Sequence, residues 1–298
     1  MKNLNRKFIL AIDSSCDISI DYCEKNEVYP LFMQYTIEDE VFTDTMNEND
    51  FKEFYDKMRN GSVSKTGAIN SYRFLEFFEK LAEQNLPIVY LCLSSGLSVS
   101  YNNALQARDE FLEKYPDKEL YVVDSLMASS GIALLLSDAV KMRDEGKTAK
   151  EVSDWLTENV LNVSVFYTTN EMVYLYRGGR VKKFKYIVSD ILKINPILKV
   201  NPEGKLVVHQ AVPGEKKAFK RFIELVEKNV VNPENQVLFV SHSDCKEKAI
   251  KFGETLKENL KFKDVVYSGI GTTIGSHTGP GLVAVFFYGK ERLEKSNK

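Results

Sequence analysis

Residues 88–125, IVYLCLSSGLSVSYNNALQARDEFLEKYPDKELYVVDS, decide the fold class. Ile88–Leu93 is a near-continuous apolar run, the pattern of a strand covered on both faces, and it breaks at Ser94-Ser95-Gly96-Leu97-Ser98. A helical pattern runs from about Tyr101 to Tyr115, after which Leu120–Val123 repeats the strand and stops at Asp124-Ser125. Strand, helix and strand in so short a span are the grammar of an open parallel sheet. Upstream, Phe8–Ile12 stops in the same way at Asp13-Ser14-Ser15. Ligands of such sheets bind beyond the carboxyl ends of the strands, where these hydroxyl-bearing turns lie.

Working outward, Tyr29–Tyr35 and Glu40–Phe42 read as short strands. Asn49–Arg59 reads as a helix capped by Asn49 or Asp50, with Phe51, Phe54, Tyr55 and Met58 on one face. Ser64 to Asn70 reads as a polar loop before a helix over Tyr72–Gln84. After Ser129-Ser130-Gly131 a helix runs to about Glu145, and Thr148–Asn159 is another. Val163–Thr168 is a strand, and in Ile191–Val200 the proline of Ile194-Asn195-Pro196-Ile197-Leu198 predicts an edge or a bend. Asn201-Pro202-Glu203-Gly204 turns the chain onto Leu206–Val208. Lys216–Lys228 and Lys246–Leu260 are helical, with a strand at Gln236–Ser241. We place a domain boundary near residue 160, giving units 1–160 and 161–298.

The 298 residues carry 40 basic and 42 acidic side chains, so no overall charge signature points to nucleic acid. The N-terminal apolar run is too short for a signal-peptide core or a membrane span, which predicts a cytoplasmic protein without stable membrane insertion. Cys16, Cys23, Cys92 and Cys245 show no CxxC spacing and read as free thiols. His209, His242 and His277 lack metal-ligand spacing, so neither a metal nor a cofactor is expected.

In Val265–Gly289, two apolar runs, Val265–Tyr267 and Leu282–Tyr288, bracket five glycines and the His277-Thr278 pair, which reads as strand, loop, strand. Such a loop brings backbone amides and an imidazole to a ligand, or is simply a long hairpin connection. Ser14, Ser15, Thr66, Ser94, Ser95, Ser98 and Ser125 suit a carboxylate or phosphate head group, although each can equally cap a helix, as Ser98 or Ser100 would. Gly96-Leu97-Ser98-Val99-Ser100 is close to a hydrolase nucleophile elbow without its second glycine, with His277 and either Asp124 or Asp244 as conceivable partners. Five basic residues, Arg177, Arg180, Lys182, Lys183 and Lys185, form either a solvated face or a contact for a phosphate or an acidic partner.

Seven segments in one order resemble the DegV family, the fatty-acid-binding proteins of bacterial fatty acid kinase. They are Ile12 to Ile18, Lys65-Thr66, Leu93 to Ser98, Val123-Asp124-Ser125, Arg177-Gly178-Gly179-Arg180-Val181, Leu192 to Leu198, and Gly275-Ser276-His277-Thr278-Gly279-Pro280-Gly281. The resemblance implies two α/β domains, the first with a mostly parallel sheet and the second with a mixed one, and a ligand buried between them. It implies a carrier without catalysis of its own, serving phospholipid metabolism by presenting a long-chain fatty acid to a separate ATP-dependent kinase. Head-group residues carry over onto Thr66, Ser94, Ser95 and His277, with Arg180, Arg177, Thr278 and Ser125 supporting or facing the partner. Two departures stand out: Gly67-Ala68-Ile69-Asn70 replaces the family's Ser-Gln-Pro-Ser, and Val99-Ser100-Tyr101 its Gly-Thr-Tyr. The rival expectation is a serine esterase or thioesterase using Ser98.

Overall fold

The computed structural model describes residues 6–169, 171–181 and 194–293. In chain order it forms β1 (Ile9–Asp13), α1 (Ile20–Lys25), β2 (Val28–Leu31), β3 (Gln34–Ile37), β4 (Glu40–Thr43), α2 (Glu48–Arg59), β5 (Ser64–Thr66) and α3 (Ser71–Ala82). There follow β6 (Ile88–Cys92), α4 (Ser100–Lys114), β7 (Leu120–Asp124), α5 (Ser130–Asp144), α6 (Ala149–Asn159), β8 (Val163–Thr168) and α7 (Met172–Arg177). The remainder is β9 (Ile194–Val200), β10 (Leu206–Pro213), α8 (Glu215–Asn229), β11 (Val237–His242), α9 (Lys246–Leu260), β12 (Asp264–Gly269), α10 (Thr272–Thr278) and β13 (Val283–Tyr288).

The strands make a parallel sheet ordered β2-β1-β6-β7, a mixed sheet ordered β10-β9-β8-β13-β11-β12, and a small antiparallel sheet ordered β4-β3-β5. In the parallel sheet the alternation of β1 and β6 explains the unbroken apolar runs. Ile9, Ala11, Tyr90 and Cys92 pack on the side of Phe74, Phe78 and Phe111, while Leu10, Ile12, Val89 and Leu91 face Leu135, Val152 and Leu156. Both faces are covered by helices, so neither can be polar. In the mixed sheet only β11 and β12 run parallel; every other pairing is antiparallel.

Several local expectations are corrected. The glycine-rich connection is no plain loop: it contains α10, and its flanking strands form no hairpin, because β11 lies between β12 and β13. Thr, Ser and Gly are poor helix formers, and the helix is held from outside. The Asp17 carboxylate accepts the Gly271 amide at 2.9 Å, and that of Asp44 accepts the Thr273 amide at 3.1 Å and its hydroxyl at 2.6 Å. Those carboxylates supply partners for the amides that every helix start leaves unpaired. Helix α2 is capped by Asn47, ahead of the predicted Asn49 or Asp50, and keeps its buried stripe Phe51, Phe54, Tyr55 and Met58. Ser64–Thr66 pairs with β3 as a strand, where the sequence predicts a loop. Strand β9 is interior, yet Pro196 is tolerated because pairing with β8 ends at Thr168 and Ile197, one residue short of it. Among the described residues no helix is long and apolar enough to cross a membrane.

Candidate functional site

His277 is the next-to-last residue of α10 and Thr66 the last of β5, so two segments far apart in sequence meet at one point. His277 Nε2 and Thr66 Oγ1 are hydrogen-bonded at 2.7 Å. The other ring nitrogen, Nδ1, is buried and has no hydrogen-bond partner among the described residues. Burial, with the positive charge of Arg180 adding to it, holds the imidazole down at about 4 against an ordinary 6.5, so the ring is neutral at pH 7.

Arg180 lies beside this pair. Its Nε donates to the Leu97 carbonyl at 3.2 Å and its Nη1 to the Gly178 carbonyl at 2.6 Å, while burial lowers the guanidinium's own pKa. The ring of His277 packs so close to Gly178 that any Cβ there would overlap Nδ1, which is the steric reason for glycine at this point of the Arg177-Gly178-Gly179-Arg180 turn. Gly279, just past the helix, has φ +66° and presses on the Tyr174 ring, so both its conformation and its space exclude a side chain.

Behind Thr66 and His277 opens a cavity with about 830 Å³ of empty space, part of it continuous with solvent. Its wall is mostly apolar, with Leu93, Leu97, Val165, Leu206, Ile274 and Phe286 drawn from both the parallel and the mixed sheet regions. Thr66, Arg180 and His277 line both this cavity and a more polar outer depression that also includes Lys65, Arg177 and Ser276. These three residues therefore stand where the apolar cavity meets the depression carrying Lys65 and Arg177, a junction we call its mouth.

The other residues singled out in sequence are placed as follows. Thr278 lines the cavity, with its hydroxyl 3.3 Å from that of Ser243. Arg177 is exposed on the outer depression. Ser94 is fully buried but outside the lining: its Oγ donates to the Gly204 carbonyl at 2.9 Å and accepts the Gly96 amide at 3.1 Å. Ser95 is exposed, its amide donating to Asp124 at 3.1 Å, and Ser125 closes its own turn by accepting the Met127 amide at 3.1 Å. Lys182, Lys183 and Lys185 lie outside the described residues.

Ser98 lines the cavity, but the expectation that it caps α4 is corrected: Val99 holds the N-cap position, and Ser98 Oγ bonds the Ser100 amide at 3.2 Å and its hydroxyl at 2.9 Å. The conceivable triad partners are occupied elsewhere. His277 bonds Thr66, Asp124 accepts the Ser95 and Leu126 amides, and Asp244 pairs with Arg59 at 2.6 Å. Sequence reasoning did not single out Tyr167, which lines the cavity from β8; an aromatic residue in a strand carries no signal that separates it from ordinary core.

Comparison with known proteins matches this arrangement to one family along almost the whole chain. The family model described as "Uncharacterised protein, DegV family" covers residues 7–290. A DegV domain-containing protein of Clostridium perfringens is 37% identical over 95% of this chain and 98% of its own length. A protein of Thermotoga maritima named as a fatty acid-binding protein is 33% identical over 97% of this chain and 99% of its own. The crystal structure of a DegV lipid-binding protein from Thermotoga maritima superposes with a TM-score of 0.82 at 30% identity, covering 96% of this chain and all of that one. With the fold, the motif order and the full-length likeness in agreement, this chain belongs to the DegV family.

Proposed function

We propose that this protein is a cytoplasmic carrier that binds a long-chain free fatty acid and presents its carboxylate to a separate ATP-dependent kinase for acyl-phosphate formation. The observation that carries the reading is the bonded Thr66–His277 pair, with Arg180 beside it, at the mouth of a mostly apolar cavity. Burying about fifteen methylenes at roughly 0.8 kcal/mol each provides the driving force for the tail. The head group is met by hydrogen bonds and one guanidinium: if His277 donates from Nε2 to Thr66 Oγ1, the threonine proton is free to point at a carboxylate oxygen. A carboxylate there also compensates the half-buried Arg180, since a buried charge is stable only when paired.

Ser94, Ser95 and Ser125 enter this proposal as builders of the turns around the mouth, and Arg177 with Lys65 as the surface that the kinase approaches. The division into units 1–160 and 161–298 belongs to the proposal as well, falling between the last strand of the parallel sheet and the first of the mixed one. The likeness to relatives named for lipid and fatty-acid binding supports the ligand class, and the family resemblance supports the kinase partnership. Calorimetric titration of delipidated protein with hexadecanoic and octadecanoic acids tests the first step. Saturable binding near one acid per chain is expected; no saturable heat for either acid would end the reading.

A further inference from the structure

Tyr167 lies on β8 between Ala284 of β13 and Leu198 of β9, and strand alternation turns it with Val165 toward the cavity. It is 4% exposed, and its hydroxyl is buried without a hydrogen-bond partner among the described residues. Other polar side chains on the inner wall already have partners in the protein: Ser98 bonds Ser100, Ser129 bonds Ser241, Thr273 bonds Asp44 and Thr278 lies against Ser243. Tyr167 also lines the cavity without lining the outer depression, which Thr66, Arg180 and His277 share.

Phenylalanine would fill the same place on the strand with no polar atom to desolvate, and a plain alkyl chain leaves the tyrosine hydroxyl unpaired. We propose that Tyr167 forms a polar subsite inside the cavity, and that the ligand best matched to this protein is a fatty acid bearing one hydroxyl or oxo group along its chain; this deepens, and rests on, the fatty-acid reading above. Burial pushes the Tyr167 phenol up, so it keeps its proton and offers both a donor and an acceptor. A hydroxyl on the chain can use either, and an oxo group accepts the phenol proton. Discrimination of this kind is strong, because a site built to hydrogen-bond a ligand group is left unsatisfied by the analogue that lacks it.

The test is calorimetric titration of the delipidated full chain with octadecanoic acid and its series of monohydroxy positional isomers, for wild type and Tyr167→Phe. One isomer, or two adjacent ones, should bind wild type about tenfold tighter than octadecanoic acid, equivalent to about 1.4 kcal/mol. In Tyr167→Phe that affinity ratio should fall to near one. If octadecanoic acid binds and no isomer improves on it, the subsite is overturned while the carrier reading stands. If neither the parent acid nor any isomer binds, the carrier reading falls and takes the subsite with it. A preference that persists in Tyr167→Phe overturns the role given to Tyr167. Even where the variant does not fold, a wild-type series in which no isomer improves on octadecanoic acid overturns the subsite.

Discussion

Thr66→Val is the sharpest perturbation of the mouth, because valine keeps the branched shape that β5 needs and removes only the hydroxyl. In the free protein the substitution leaves His277 with both ring nitrogens unpartnered, since Nε2 bonds Thr66 Oγ1 at 2.7 Å and Nδ1 has no partner among the described residues. In the complex it removes a donor to the bound carboxylate. The loss of one buried hydrogen bond with an unsatisfied partner left behind costs about 1–3 kcal/mol, which is a roughly 5- to 150-fold rise in Kd. Titration of delipidated wild type and variant with hexadecanoic acid measures it, and the methyl ester serves as control because it lacks the charged head. The variant should lose affinity for the acid and show little change for the ester. Equal affinities of wild type and variant for the acid, in proteins with matching thermal transitions, would refute the assignment of Thr66 to the head group.

Arg177→Ala, at an exposed position on the outer depression, should lower acyl-phosphate formation in a reconstituted kinase assay while fatty-acid affinity stays within about threefold, and the loss should shrink as salt rises; equal turnover at low salt would make Arg177 part of a solvated face. His277 is held at about 4 against 6.5, so between those values the unfolded chain binds more protons than the native one and stability should fall as pH drops from about 6.5 to about 4. Arg180→Ala should raise the His277 pKa and narrow that window, read from the ring proton shifts in an NMR titration; an unmoved pKa would refute the coupling. Gly279→Ala places a side chain at φ +66° and against the Tyr174 ring, and should lower stability by about 1–3 kcal/mol, measured by urea unfolding; an unchanged midpoint would refute it.

The parallel sheet was legible because its strands are buried on both sides, and no sequence can hide five consecutive apolar residues such as Ile88–Cys92 between two turns. His277 was legible for a different reason: an imidazole among five glycines is not a packing pattern. What the sequence did not show is how the glycine-rich stretch folds. Its helix α10 owes its start to Asp17 and Asp44, more than 200 residues away, and local propensity gives no hint of them. The strand-end serines were ambiguous for a physical reason, since a hydroxyl that closes a turn and one that meets a ligand have the same sequence signature. Ser94 and Ser125 spend their hydroxyls on backbone groups, Ser94 on Gly96 and the distant Gly204 and Ser125 on Met127, whereas Thr66 bonds a side chain from the other end of the chain.

The dependence of α10 on distant carboxylates bears on how the site is assembled. Asp17 and Asp44 belong to the first fifty residues, yet they position the helix that brings Thr273, Ile274 and His277 to the cavity wall. Burial pushes both carboxyls up, while hydrogen bonds from Ser129 and Gly271 to Asp17, and from Thr273 and Met46 to Asp44, pull against it. Glu48 adds a third link, accepting the Gly269 amide at 2.8 Å at the end of β12. The Tyr55 hydroxyl adds a fourth, donating to the Ile270 carbonyl at 2.8 Å. Neither segment alone makes the proposed head-group site, because Thr66 without α10 lacks its imidazole partner and His277 without β5 lacks its hydroxyl partner. The Thr66–His277 pair is thus a product of long-range docking, and its integrity follows the latch at the start of α10 as closely as it follows the two residues themselves.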